Sequence, residues 1–276
     1  MLSAKSFVSG RLAPSQEAAF FAALRLANGT FKTTADHRMD DLNDIVVARW
    51  SETDFRPSEI LDLGASSGIS TLEWQQSLNQ AGFKVRLTAT DLSLRARIVR
   101  LWPGFDVVES SGCVLQHIIL GVPVRPWNRR LDYVTGYVLL SRLANLVAAR
   151  RLRAMNGQPC SADILLVSQR ALRNEQIVWA EDDVLAPNPE KFIRRFGAIR
   201  AANILNCDYF NAAQLQCAVR NVRDRLVGPG AVLIVNRTSK DGSNHATLFR
   251  LGDNSRFAVD VRLGRGSEID DVVLNV

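Results

Sequence analysis

Residues Ile60 to Thr71 read ILDLGASSGIST, and they point to an α/β protein. Ile60, Leu61 and Leu63 form the end of a buried parallel strand. Gly64, Ala65, Ser66, Ser67 and Gly68 are all small, and Ile69, Leu72, Trp74 and Leu78 recur at helical spacing. In a strand, small-residue turn and helix, backbone N–H groups at the helix N-terminus face an open crevice.

The spacing selects the ligand. A dinucleotide fingerprint needs G-x-G-x-x-G, whereas here the glycines stand four apart with Ser66 between them, and Asp62 lies two residues before the first. Asp62-x-Gly64-x-x-x-Gly68 resembles motif I of the class I S-adenosylmethionine (SAM)-dependent methyltransferases. The resemblance implies a Rossmann-like, doubly wound, mostly parallel sheet with a C-terminal antiparallel hairpin. It also implies SAM as cofactor, cradled by Asp62, Gly64, Ala65, Ser66, Ser67 and Gly68.

Later landmarks follow in order. Phe83 to Thr90 reads as the second strand and ends at Asp91, 23 residues after Gly68. An acid at that place accepts hydrogen bonds from vicinal ribose hydroxyls; the resemblance gives Asp91, with its neighbour Leu92, to the ribose of SAM, while capping of the next turn is the plainer role. Gln176–Ala180 is the third core strand. Asp183-Val184 after it resembles the adenine-binding position, with Asp182 the alternative acid. Phe196–Ala202 is the fourth strand, ending at Asn203, a cofactor or substrate contact or simply a strand end. The run from Asn203 to Phe210 resembles the matching stretch of chemotaxis-receptor methyltransferases and departs from the Asp/Asn-Pro-Pro-aromatic motif of many amino-methylating enzymes. Asn211–Leu226 is an amphipathic helix, Gly228-Pro229-Gly230 resembles the family's landmark before the fifth strand, and Ala231–Val235 is that strand. His245–Leu251 and Phe257–Leu263 form a closing hairpin, and the helix expected between strands five and six is missing or very short.

Two segments surround this core. Residues 1–57 read as an N-terminal helical lid: a flexible start over 1–13, a helix from Ser15 to about Leu26 stopped by Asn28-Gly29, and a second helix from Asp40 or Asp41. Residues 58–276 are the SAM-binding domain, carrying an insertion over 93–175. In the insertion, Phe105–Glu109 and Cys113–Leu120 form a hairpin through Ser111-Gly112, Val122–Trp127 breaks the pattern, and Ile164–Leu172 is a further strand or a short helix. Tyr133–Ala149 is an apolar helix followed by Arg150, Arg151 and Arg153. It is too short and interrupted to span a membrane; it is buried, pairs with a second copy, or lies on a membrane surface through 133–153.

Composition adds bounds. The chain has 276 residues, enough for a substantial core. Cys113, Cys160, Cys207 and Cys217 are scattered, which argues against a disulfide framework or zinc site and for a reducing compartment. No signal-like segment is evident, so a cytoplasmic protein, peripheral at a membrane in one reading, is expected. The net charge is +6, and ten arginines against three acids between Ser93 and Asn156 give that segment 10 − 3 = +7. The basic character belongs to the insertion, and nucleic acid is the disfavoured partner.

Methyl transfer is an in-line displacement, so positioning matters most, and a base is needed only where the acceptor must lose a proton. His37, Tyr209 and His245 are the candidates, with Asp208 beside them; His37 also reads as an ordinary surface histidine. The leading expectation is a methyltransferase acting on an O or N atom of a small or lipid-like substrate, with the insertion as a specificity cap. An RNA or protein methyltransferase using the arginines and a non-catalytic SAM-binding module are the alternatives.

Overall fold

The computed structural model describes residues 12–26, 32, 35–128, 130–154 and 161–276. In chain order the elements are α1 (Pro14–Ala22), α2 (Asp40–Glu52), β1 (Glu59–Leu63), α3 (Ile69–Gln80), β2 (Arg86–Asp91), β3 (Arg95–Trp102) and β4 (Phe105–Ser110). Next come β5 (Cys113–Ile119), β6 (Val122–Val124), α4 (Tyr137–Ala154), β7 (Ser161–Leu165), α5 (Gln169–Leu172), β8 (Ile177–Glu181) and β9 (Ala198–Ala202). The chain closes with α6 (Ala212–Arg225), β10 (Val232–Thr238), β11 (Asn244–Leu251), β12 (Phe257–Leu263) and α7 (Asp270–Leu274). They divide into two compact units: Met1–Ala35 with Ser93–Arg170, and Asp36–Leu92 with Ala171–Val276.

The second unit is a seven-stranded sheet ordered β12-β11-β10-β9-β1-β2-β8. The five strands from β8 to β10 are parallel, and β11 and β12 add antiparallel at the β10 edge. This is a Rossmann-like, doubly wound architecture with the order reversing beside β1. Both faces are covered, so the strands read as continuous apolar runs. The two-residue period assigns each side chain to a face. Leu61, Ile199, Leu233 and Val235 meet Leu215, Val219 and Val222 of α6 and Val273 of α7. Ile60, Leu87, Ala198, Val232 and Ile234 meet Leu42, Val46 and Trp50 of α2 and Trp74 and Leu78 of α3. As the sequence indicates, β10 runs through a short turn directly into β11, leaving no crossover helix between them; α7 is an addition not read from the sequence.

The first unit is a five-stranded antiparallel sheet ordered β6-β5-β4-β3-β7, with α4 packed on it. The expected hairpin is therefore the centre of something larger. Arg95–Trp102 was not foreseen as a strand because arginines at 95, 97 and 100 mask its alternation, yet Ala96, Ile98, Val99 and Leu101 are buried. Val122–Val124 is a short edge strand, the place where a proline is tolerated. Ile164–Leu172 contains both the end of a strand and the short α5. The apolar helix begins four residues later than expected, after a 3-10 turn at Arg130–Tyr133.

The expected N-terminal lid divides between the units. Phe20, Phe21, Leu24 and Leu26 pack with Ala96, Ile98, Val108 and Leu115, so the first helix joins the inserted sheet, whereas α2 joins the other unit. The helix stops at Ala22 rather than near Leu26 because the chain turns to pair with a strand: Arg25 N–H donates to the Leu115 carbonyl at 3.3 Å. The inserted unit likewise ends at Arg170 rather than 175. Residues 1–11 of the expected flexible start over 1–13, the Asn28-Gly29 stop, Arg129 and Cys160 lie outside the described residues. Among the described residues, no helix is long and apolar enough to cross a membrane.

Candidate functional site

The candidate site lies in the unit of Asp36–Leu92 and Ala171–Val276, at the C-terminal ends of its parallel strands. Crevices of α/β sheets form at such ends, where the strand order reverses. After β1 the chain takes a tight turn in which Gly64, Ser66 and Gly68 all have positive φ (68°, 56° and 81°). Two bonds fasten this turn to the end of β2. Ala65 N–H donates to the Thr90 carbonyl at 2.9 Å, and Ser66 N–H donates to Asp91 Oδ2 at 2.8 Å. Ser67 and Ala65 are buried, and Gly68 caps α3 through its backbone conformation.

Asp91 stands where the sequence placed it, at the end of β2, and its carboxylate carries about four acceptor sites in all. Asp182 N–H donates to the Asp91 carbonyl at 3.1 Å, so the segment after β8 adjoins the same strand end. Asp183 is exposed there, with Oδ1 accepting from Leu185 N–H at 2.9 Å, and Val184 beside it is buried. Leu92 is 53% exposed.

Three residues of the expected ligand set have their side chains engaged within the protein. Asp62 faces away from the crevice into a buried ion pair: Arg200 donates from Nε to Oδ1 at 2.9 Å and from Nη2 to Oδ2 at 2.7 Å. Thr71 Oγ1 adds a 2.6 Å bond to Oδ2. The two residues are register partners on β1 and β9, and the guanidinium lies 4.3 Å from the Trp74 ring centroid. Asp182 is similarly consumed by Arg225, at 2.6 and 3.2 Å. Of the two acids after β8, only Asp183 presents its carboxylate to solvent. Asn203 spends its amide on strand-end closure, with Oδ1 accepting from Thr238 N–H at 2.7 Å and Nδ2 donating to Thr238 Oγ1 at 3.2 Å.

Gly64 serves packing as well as turn geometry. A Cβ there would stand 2.9 Å from Ile204 Cδ1, so Ile204 covers the glycine.

The candidate bases are spread around the same strand ends. The His37 side chain is 78% exposed, with Nδ1 2.9 Å from Asp40 Oδ2, and its backbone N–H donates to Glu73 Oε1 at 2.7 Å. His245 is pinned to a turn, accepting at Nδ1 from Arg265 N–H at 3.1 Å. Tyr209 is exposed on a turn held by Asn206, whose Oδ1 accepts from the backbone N–H groups of Asp208 and Tyr209. Asp208 is bound by Arg237, which also meets Glu268 at 2.8 Å. Asp208, though paired with Arg237, is 73% exposed, so Asp208, Tyr209 and His37 all face solvent.

Sequence reading missed Arg38 and Glu73. Burial lowers the Arg38 pKa, nearby Arg200 lowers it further, and Glu73 opposes both. Arg38 Nε is buried and has no hydrogen-bond partner among the described residues. Burial raises the Glu73 carboxyl above its ordinary value. No motif signals this pair, because its partners come together only through the packing of α2 on α3. Two surface depressions, of about 560 Å³ near Glu59 and Arg86 and about 420 Å³ near Asn188 and Asp224, contain none of the candidate ligand residues. The first lies at the opposite, N-terminal ends of β1 and β2.

No protein-family model and no curated protein matches the chain. Among solved structures it is similar to N-methyltransferase NodS from Bradyrhizobium japonicum WM9 in complex with S-adenosyl-L-homocysteine, with 16% identity over 84% of this chain and 72% of that one and a TM-score of 0.37. It is similar to the citrinin polyketide synthase CMeT domain, with 17% identity, 67% and 30% coverage and a TM-score of 0.32. It is also similar to a Zn-dependent alcohol dehydrogenase described as putative, from Rhodobacter sphaeroides, with 13% identity, 82% and 56% coverage and a TM-score of 0.35. The chain thus spans from under one third to under three quarters of these structures. At such distance the likenesses do not bear on chemistry. The chain has a Rossmann-like fold, and methyltransferases stand among the solved structures that resemble it.

Proposed function

We propose that this chain is a SAM-dependent methyltransferase acting on an O or N atom of a small or lipid-like acceptor. The observation that supports it is the joining of the Gly64–Gly68 turn to Asp91 through Ser66 N–H, with Asp183 following the next strand. A nucleoside needs an acid for its vicinal hydroxyls and a polar edge for its base, and Asp91 and Asp183-Val184 supply both chemistries. Arg38, whose buried Nε has no hydrogen-bond partner among the described residues, supplies positive charge for the cofactor's carboxylate. Ile204 over Gly64 limits the space at the turn, so the methionine half depends on that side chain's rotamer.

The bound cofactor supplies an electrophilic methyl group on a sulfonium. The protein's part is to hold the acceptor in line and exclude water. Where the acceptor is a hydroxyl, His37 or Tyr209 is the group available to take its proton.

The test is calorimetric titration of the purified chain with SAM and with S-adenosylhomocysteine. Asp91→Asn keeps an acceptor for Ser66 N–H but removes the charge, and should weaken binding at least tenfold, about 1.4 kcal/mol. Arg38→Ala should weaken it similarly. Wild-type protein that binds neither compound would overturn the proposal.

A further inference from the structure

We infer that α4 is a docking face for an anionic lipid surface. Its inner side packs on the inserted sheet, where Ala148 is buried with Val99, Leu101, Phe105 and Val107. Asn145 and Ser141 bond inward, to His117 at 2.7 Å and Asn128 at 2.6 Å. The helix is therefore fixed in rotation, and what it shows outward is set. Leu139, Leu143 and Leu146 are 73%, 59% and 49% exposed, and with Arg150 they follow one another at intervals of four, three and four residues. That spacing makes a single outward stripe. Leu140 lies beside it, and Leu131 and Val134 just before the helix are exposed as well.

Charge selects the occupant. α4 contains Arg142, Arg150, Arg151 and Arg153 and no acidic residue, and all four are exposed. Three other arginines of this unit meet acids: Arg97 with Glu109 at 2.6 Å, Arg100 with Asp106 at 2.8 Å, Arg125 with Asp132 at 3.2 Å. The segment's positive charge is thus concentrated on the helix. A second copy of this helix would bring no acid to pair with these arginines and would leave their charge uncompensated. Single-stranded nucleic acid would use a series of aromatic stacking platforms, whereas the outward stripe of α4 is aliphatic, with the one aromatic Tyr133 exposed just before the helix beside Leu131 and Val134. A bilayer surface offers both acyl chains for a leucine stripe and phosphates for arginines at its end, the pattern of helices that lie in the interface.

The experiment is co-sedimentation of the full chain with vesicles of phosphatidylcholine alone and of phosphatidylcholine with phosphatidylserine. Two surface variants, Leu143→Ser/Leu146→Ser and Arg150→Glu/Arg151→Glu, are run beside it, with thermal melts confirming that each stays folded. Binding to the anionic vesicles, weakened at least tenfold by either variant and by salt, is the expected result. Absence of vesicle binding overturns the inference. So does self-association that disappears with the leucine variant, which would assign the face to a second copy. RNA binding that needs the arginines but not the leucines would also overturn it. None of these outcomes depends on SAM binding.

Discussion

Asp62 and Arg200 allow the sequence-based and structural readings of motif I to be separated by experiment. Both side chains are at most 2% exposed, and the carboxylate accepts two bonds from Arg200 and one from Thr71. Arg200→Met removes two of those donors and leaves a buried carboxylate, a change that costs about 3–5 kcal/mol. Asp62→Asn strands the guanidinium at similar cost, whereas Asp62→Asn with Arg200→Met leaves no unpaired charge and should recover most of the loss. Thr71→Val removes one charge-assisted bond, about 1.5–3 kcal/mol. In urea, with a slope of about 2.5 kcal/mol per molar, a 4 kcal/mol loss lowers the midpoint of this unit's transition by roughly 1.5 M. The assay is equilibrium unfolding of the full chain followed by tryptophan fluorescence, since Trp74 lies under the guanidinium. A cost below about 1 kcal/mol for Arg200→Met would refute the reasoning. So would Asp62→Asn that unfolds like wild type yet loses SAM affinity, which is what a direct ligand contact would give.

Gly64→Ala should destabilise by about 1–2 kcal/mol through its left-handed backbone alone, and further through the 2.9 Å approach to Ile204. Adding Ile204→Ala should restore only the second part, and an unchanged melting temperature for Gly64→Ala would exclude both. His117 is fully buried, and that burial lowers its pKa below 6.5 against the opposing bond to Asn145. The unfolded chain then binds a proton that the folded chain refuses, so stability is intact above pH 6.5 and falls as pH drops below it, by at most about 1.4 kcal/mol per pH unit. Urea titrations at several pH values should show this slope for wild type and a flatter one for His117→Gln; equal slopes would remove His117 as the cause.

How far the sequence reached depends on the range of the interactions involved. Strand, small-residue turn and helix at Ile60–Thr71 are local, and so are the acid closing β2 and the hairpin of β11 and β12. Period and turn chemistry along the chain sufficed for all of them. The alternation of the inserted sheet was only half legible, because arginines paired with Glu109 and Asp106 look like solvent-facing charge until those partners are placed. The same limit hid the internal partners of the expected ligand residues. Asp62, Asp182 and Asn203 each lie in the position that a ligand contact would take, and nothing within a few residues reveals Arg200, Arg225 or Thr238 waiting 138, 43 and 35 positions away. A buried carboxylate must be paired, but which cation pairs with it is decided by strand register, not by local sequence. Local pattern by itself placed the strand–turn–helix at Ile60–Thr71 and the acid at the end of β2, and the resemblance they carry implied the doubly wound core. Only the tertiary structure decided which acids remained for a ligand, that the first helix belongs to the inserted sheet, and that the leucines of α4 face outward, because burial and ion pairing depend on contacts between residues far apart in the chain.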